Sequence, residues 1–162
     1  MLYTNYMLAV LDNIRSVHNV GSIFRTADGA GFEKIYLCGV TPAPVDRLGR
    51  VRADFAKTAL GAEKSIEWEY VSSAEKCLSR LKKDGWNIVI FEQSRKAVPY
   101  SKLKILKTAR KKTALVVGSE TEGVSKRLFK YADKMVEIPM RGTKKSLNVS
   151  VAFGIAAYRL TE

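Results

Sequence analysis

The sequence predicts an α/β fold, a mostly parallel sheet with helices on both faces. Three observations predict it. Short apolar runs alternate with segments of helical periodicity along the chain. The runs are apolar at nearly every position, which marks strands buried on both faces. The 162 residues are 46% hydrophobic, enough for one sizeable core and too few for two comfortable domains.

Residues 6–11 (YMLAVL) read as the first strand. Residues 19–30 follow as a helix, with Val20, Ile23, Phe24, Ala27 and Ala30 at helical spacing. Asn19 is placed as its N-cap, and Gly29 and Gly31 end it. Residues 34–38 (KIYLC) are the second strand. Residues 41–63 form a loop with short helical pieces, carrying Arg47, Arg50 and Arg52. Residues 66–71 alternate as a third strand, and Ser72 caps a helix running to about residue 83. Residues 86–91 (WNIVIF) make the fourth strand. A basic stretch over 95–112 carries Arg95, Lys96, Lys102, Lys104, Lys107, Arg110, Lys111 and Lys112. Residues 113–117 (TALVV) are a fifth strand, 125–131 a short helix, and 134–138 a sixth strand stopped by Pro139. Residues 147–160 form the last helix, apolar on nearly every side.

Charge narrows the partner. Lys and Arg total 28 against 16 Asp and Glu, a net charge of +12, which points to a polyanion. No apolar stretch approaches a membrane span, and no secretory signal opens the chain. Cys38 and Cys77 form no CxxC motif, and His18 is the single histidine, so no zinc constellation exists. The chain reads as cytoplasmic, reduced and free of metal.

Ligands of parallel sheets bind at the carboxyl ends of strands, so the loops after the first, fifth and sixth strands carry the interest. The loop 118–123 (GSETEG) has the GxxxxG spacing of a P-loop, but Val124 stands where a phosphate-binding Lys is needed. Glu120 and Glu122 would repel phosphates. Gly118 and Gly123 leave two readings, a cradle for a ligand or a tight strand-to-helix turn. In the loop 138–150, Gly142 precedes a helix start at which Ser146 suits an N-cap; the polar residues there either leave free amides and Asn148 for a ligand or simply cap the helix. Ile138, Met140 and Leu147 either sandwich a flat ring or join the core. Ser22, Arg25 and Gly29 form a small-residue stripe with one guanidinium. That stripe is either solvated surface or a seat for a phosphate or carboxylate.

These segments together resemble the SpoU/TrmH family of RNA ribose 2′-O-methyltransferases, in the SPOUT superfamily. The carriers are residues 19–27 (NVGSIFRTA), 117–123 (VGSETEG), and 138–142 (IPMRG) through 146–152 (SLNVSVA). The resemblance runs from about Met7 to Leu160. It implies a single domain over residues 1–162, with a C-terminal trefoil knot within about 113–162. It implies S-adenosylmethionine bound in the knot, and a homodimer whose active site is shared between subunits.

The resemblance also assigns roles. Arg25 binds the phosphate–ribose at the reacting hydroxyl, where the family's arginine is often given a general-base role; a guanidinium stays protonated, which favours orientation over proton removal. Asn19, Glu120, Ser146 and Asn148 hold Arg25, the cofactor and the ribose. Gly118, Gly123, Ile138, Met140, Gly142, Ser146 and Leu147 surround the cofactor. Arg25, Arg47, Arg50, Arg52, Arg141, Lys144 and Lys145 meet RNA, in place of the separate RNA-binding domain found in many relatives. The reaction is S-adenosylmethionine-dependent ribose 2′-O-methylation of tRNA or rRNA. A non-catalytic RNA-binding or assembly protein keeping the fold is the alternative. Base methylation by a cysteine nucleophile is a weaker third, because neither Cys38 nor Cys77 has an activating neighbour. The last helix, with Val151, Ile155 and Gly154, is buried against either a second subunit or its own.

Overall fold

A computed structural model of the protein describes residues 6–103 and 112–162. Seven strands form one sheet, in the order β3-β2-β1-β6-β4-β7-β5. They are β1 (Tyr6–Asp12), β2 (Lys34–Cys38), β3 (Glu67–Val71), β4 (Asn87–Phe91), β5 (Val98–Pro99), β6 (Lys112–Gly118) and β7 (Lys134–Glu137). Every pairing between them is parallel, so the predicted sheet is the observed one.

Two-sided burial explains why the strands read as unbroken apolar runs. Met7, Ala9 and Leu11 of β1 face one layer, and Leu8 and Val10 face the other. The first layer holds α1 (Val17–Gly29), α2 (Ala53–Ala59), α3 (Ala62–Ser65) and α5 (Val149–Thr161). The second holds α4 (Ala74–Lys83) and a 3₁₀ helix, Lys126–Tyr131, where the sequence predicts an ordinary short helix. α4 seats Ala74, Cys77, Leu78 and Leu81 on β1, β2 and β4, a stripe one helical face wide.

Three boundaries differ from the expectation, each for a capping reason. Ser16, not Asn19, caps α1: its hydroxyl accepts from the Asn19 N–H at 3.2 Å. Asn19 thus lies inside the first turn, with its side chain released for other work. Ser73, not Ser72, caps α4. Asn148, not Ser146, caps α5, taking the Ser150 N–H at 2.9 Å and leaving Ser146 and Leu147 in the loop. The basic stretch 95–112 also contains β5 and a single 3₁₀ turn, Tyr100–Lys102, which its polarity concealed. Lys112 opens β6, and Lys104, Lys107, Arg110 and Lys111 lie outside the described residues.

The first layer depends on close approach of α1 to α2. A Cβ at Gly21 would meet Thr58 Oγ1, the Phe55 carbonyl at 2.9 Å and the Ala59 nitrogen at 3.2 Å. Two of these are backbone atoms and cannot turn aside. Phe24 and Phe55 meet edge to face beside it, their ring centroids 5.1 Å apart. Gly21→Ala is therefore expected to cost about 1–3 kcal/mol by forcing the helices apart. A lower urea midpoint checks it.

Candidate active site

The carboxyl ends of β4, β6 and β7 open into a cavity of about 300 Å³, within the range of small-molecule sites. Its walls come from two loops. The first, residues 118–124, closes on itself: Ser119 and Gly123 exchange both backbone hydrogen bonds, at 3.1 and 2.9 Å. That closure brings Gly123 and Val124 so near Gly118 that a Cβ there would run into their backbone. Gly123 has φ +68, the left-handed region that favours glycine. Of the two readings of these glycines, the tight turn and the cavity wall are the same object. Asp12, 1% exposed, anchors the loop's far end by accepting from the Ser125 N–H at 3.0 Å.

The second wall is the segment after β7. Ile138, Met140 and Leu147 line the cavity and lie outside the core clusters, with Leu147 38% exposed. Ser146 and Asn148 line it too. Gly142 lies outside the lining, exposed, with open space where a side chain would be.

A chain of polar contacts ties the three predicted segments together. Glu120 accepts from the backbone N–H of Arg15 and of Ser16, each at 3.1 Å, and from Asn19 Nδ2 at 3.0 Å. Asn19 Oδ1 in turn accepts from Asn148 Nδ2 at 3.1 Å. Asn148 Oδ1 takes the Ser150 hydroxyl at 2.6 Å. The sequence places Asn19, Glu120 and Asn148 in separate loops, and the fold makes them one network. Burial pushes the Glu120 carboxyl up. The donors from Asn19, its own backbone, Arg15 and Ser16 outweigh that, and its pKa lies below the ordinary carboxylate value. A depressed carboxylate pKa contributes stability above the unfolded value of about 4.3, lost as pH falls through the lower folded value. Glu120→Gln is expected to flatten that part of the acid limb of stability, read from urea midpoints between about pH 3 and 6.

The cavity's charge opposes that of the chain. Glu92, Glu120, Glu122 and Glu137 line it, and among the described residues no Lys or Arg does. A site with four carboxylates in a protein of net charge +12 disfavours phosphate and suits a ligand bearing positive charge.

Arg25 is exposed on α1 and lies outside the cavity lining. Of the small-residue stripe beside it, Ser22 is half-buried and Gly29 exposed, with the Tyr158 hydroxyl 3.1 Å from where a Gly29 Cβ would stand. Gly154 faces Thr26 of α1, so this glycine serves packing within the chain. Val151 and Tyr158, each 51% exposed, leave an apolar strip on the outer face of α5. His18 is exposed near the start of α1. Among the basic residues, Arg50 pairs with Asp46 and Arg52 with Asp54. Arg47, Arg141, Lys144 and Lys145 are exposed and form no ion pair among the described residues.

Cys38 and Cys77 are fully buried in the second layer, away from the cavity. Their mutual hydrogen bond and then burial push the Cys38 thiol far up, which removes thiolate character. Glu92, Gln93 and Asp12 escape the sequence reading. The signal available for Glu92 was an acid directly after an apolar strand, at the end of the sheet where ligands bind.

A sequence profile described as the SpoU rRNA Methylase family matches residues 6–158. The chain is 32% identical over 152 residues to the 23S rRNA (guanosine-2′-O-)-methyltransferase RlmB of Escherichia coli K12, covering 93% of this chain and 58% of that protein. It is 31% identical over 153 residues to the protein of that name in Bordetella pertussis, covering 94% and 58%. The chain thus spans about three-fifths of the length of these curated relatives. Among solved structures it superimposes on the A. aeolicus TrmH/SpoU tRNA modifying enzyme with a TM-score of 0.81 at 30% identity, covering 98% of this chain and 75% of that one. The AdoMet-bound rRNA methyltransferase from Sinorhizobium meliloti shares the fold, with a TM-score of 0.83 at 24% identity over 99% of this chain and 57% of that one. With the profile covering nearly all of its length, the chain belongs to the SpoU rRNA methylase family.

Proposed function

We propose that the protein is an S-adenosylmethionine-dependent RNA ribose 2′-O-methyltransferase acting on rRNA or tRNA. The observation that carries this reading is the acidic cavity at the strand ends, joined by the Glu120–Asn19–Asn148 network to α1, the helix bearing Arg25. The residues present fit the cofactor. Gly118 and Gly123 hold a loop that a Cβ would fill, Ile138, Met140 and Leu147 offer apolar walls, and four carboxylates favour cationic groups. When bound, S-adenosylmethionine supplies an electrophilic methyl group on a sulfonium centre.

The chain's own residues then position the acceptor. Exposed Arg25 binds the phosphate–ribose by its planar fork and orients the 2′-hydroxyl toward the mouth of the other subunit's cavity. Asn19 and Asn148 hold the helix and the loop at fixed separation. The carboxylates keep RNA phosphates outside the cavity. Arg47, Arg141, Lys144 and Lys145 give the RNA a sequence-independent footing.

Two features of the reading concern assembly and topology. Arg25 lies outside the cavity of its own chain, and the exposed Val151 and Tyr158 strip on α5 adjoins α1. Both support a homodimer in which Arg25 of one subunit serves the cavity of the other. The trefoil knot within about 113–162 is supported by the return of α5 from β7 to α1 and to the Ser101 carbonyl, which accepts from Arg159 at 3.2 Å. No helix among the described residues is long and apolar enough to cross a membrane, and we place the enzyme in the cytoplasm.

Calorimetric titration with S-adenosylmethionine tests the reading. Saturable binding at one site per chain is expected. Absence of binding, with RNA affinity intact, would favour a non-catalytic RNA-binding protein.

A further inference from the structure

Glu92 and Gln93 directly follow the last residue of β4, and each reaches a different wall of the cavity. Glu92 Oε2 accepts the Val124 N–H at 2.8 Å, and Oε1 accepts the Gln93 N–H at 2.8 Å. Gly123 rests against the same carboxylate so closely that a Cβ there would collide with it. Gln93 Nε2 donates to the Lys145 carbonyl at 2.6 Å. Among the described residues, that is the only hydrogen bond joining 139–147 to the rest of the chain. Both residues line the cavity.

We propose that Glu92 and Gln93 form a clamp of positioning residues, one holding each cofactor-binding wall to the end of a single central strand. The proposal rests on reading the cavity as the S-adenosylmethionine site. The chemistry explains the residue types. Two N–H donors converge on Glu92, and a carboxylate presents one oxygen to each. A Gln there would present one oxygen and turn an NH₂ toward the second donor. At position 93 the partner is a carbonyl, so a donor is required; a Glu would oppose it.

The test compares wild type with Glu92→Gln, Glu92→Ala, Gln93→Ala, Gln93→Glu and Glu92→Ala/Gln93→Ala. S-adenosylmethionine affinity is read by calorimetry, RNA affinity by filter binding and stability by the thermal midpoint. Each of Glu92→Ala and Gln93→Ala is expected to weaken cofactor binding by about tenfold or more. RNA affinity stays within about twofold in Glu92→Ala, whose partner Val124 lies in the other wall; it falls in Gln93→Ala, because Arg141, Lys144 and Lys145 sit on the segment that Gln93 holds. Glu92→Gln fails to rescue, and Gln93→Glu is at least as weak as Gln93→Ala. The double variant loses less than the product of the single losses, since freeing either wall opens the cavity. Hydrogen exchange separates the walls: residues 118–124 exchange faster in Glu92→Ala, and 139–147 in Gln93→Ala. Unchanged cofactor affinity in the double variant overturns the proposal alone. A parallel fall of cofactor affinity, RNA affinity and thermal midpoint in Glu92→Ala overturns it too, because that is a general loss of structure. Wild type that binds no cofactor overturns the reading of the cavity as well.

Discussion

Arg25→Ala is expected to lower methyl transfer to RNA by about 10²–10³-fold while leaving S-adenosylmethionine affinity unchanged. The split follows from where Arg25 sits. It is exposed on α1 and outside the cavity lining, so its removal alters no cofactor wall. On the proposed reading the lost interaction is with the acceptor, where a cation and a planar fork would orient the ribose and its phosphate. Single-turnover rates at saturating cofactor, beside calorimetry on the same variant, measure both halves. Retained turnover would remove Arg25 from the mechanism. Arg25→Lys separates charge from geometry: a point charge restores attraction to phosphate but not the bidentate hold, so only partial recovery is expected.

Gly118→Ala carries the second large effect, and in the opposite half of the site. Its Cβ would enter the backbone of Gly123 and Val124, which cannot move while Ser119 and Gly123 remain bonded at both ends of the loop. The loop must open, and with it the Glu92 contact to Val124. Cofactor affinity is expected to fall by about 100-fold or more, since several hydrogen bonds are lost together. The fold is retained, because Gly118 is the last residue of β6 and the loop that must open lies outside the sheet. Circular dichroism with calorimetry checks both. Together the two variants report on assembly. If the site is shared between subunits, a mixed dimer of Arg25→Ala and Gly118→Ala chains contains one intact cavity facing one intact Arg25. Co-expressed chains then regain activity that neither variant has alone. No recovery would assign each cavity the Arg25 of its own chain.

The fold was largely legible because two-sided burial writes itself into the strands. Residues 34–38 are predicted and observed as the same strand, and the ends of β1, β4, β6 and β7 differ from the prediction by no more than one residue. Caps were less legible. A serine three residues before Asn19 competes for the same N–H groups, and the outcome depends on Glu120 drawing the Asn19 side chain elsewhere. The two-residue β5 carries no periodic signal and forms only because β7 offers it an edge.

At the site, Gly142 was read into the cavity wall and lies outside its lining. Gly118, Gly123, Asn148 and the aliphatic wall were readable from loop position and composition, and Glu120 from the family resemblance. Their union was not. Asn19 and Asn148 are 129 positions apart and become hydrogen-bonded only through the tertiary fold. Glu92 and Gln93 passed as the start of a polar stretch, since nothing local marks a side chain that bonds a backbone 32 or 52 positions away. Charge was misleading in one respect. The +12 total points to a polyanion, but the cavity itself is acidic, so on the proposed reading the polyanion and the small ligand meet differently charged surfaces.

The most direct test of the account is nucleoside mass spectrometry on unmodified rRNA and tRNA incubated with the pure protein and isotope-labelled S-adenosylmethionine. The account predicts labelled 2′-O-methylnucleoside at a defined position, absent with Arg25→Ala. Label on a base, or none on RNA that the protein binds, would contradict it.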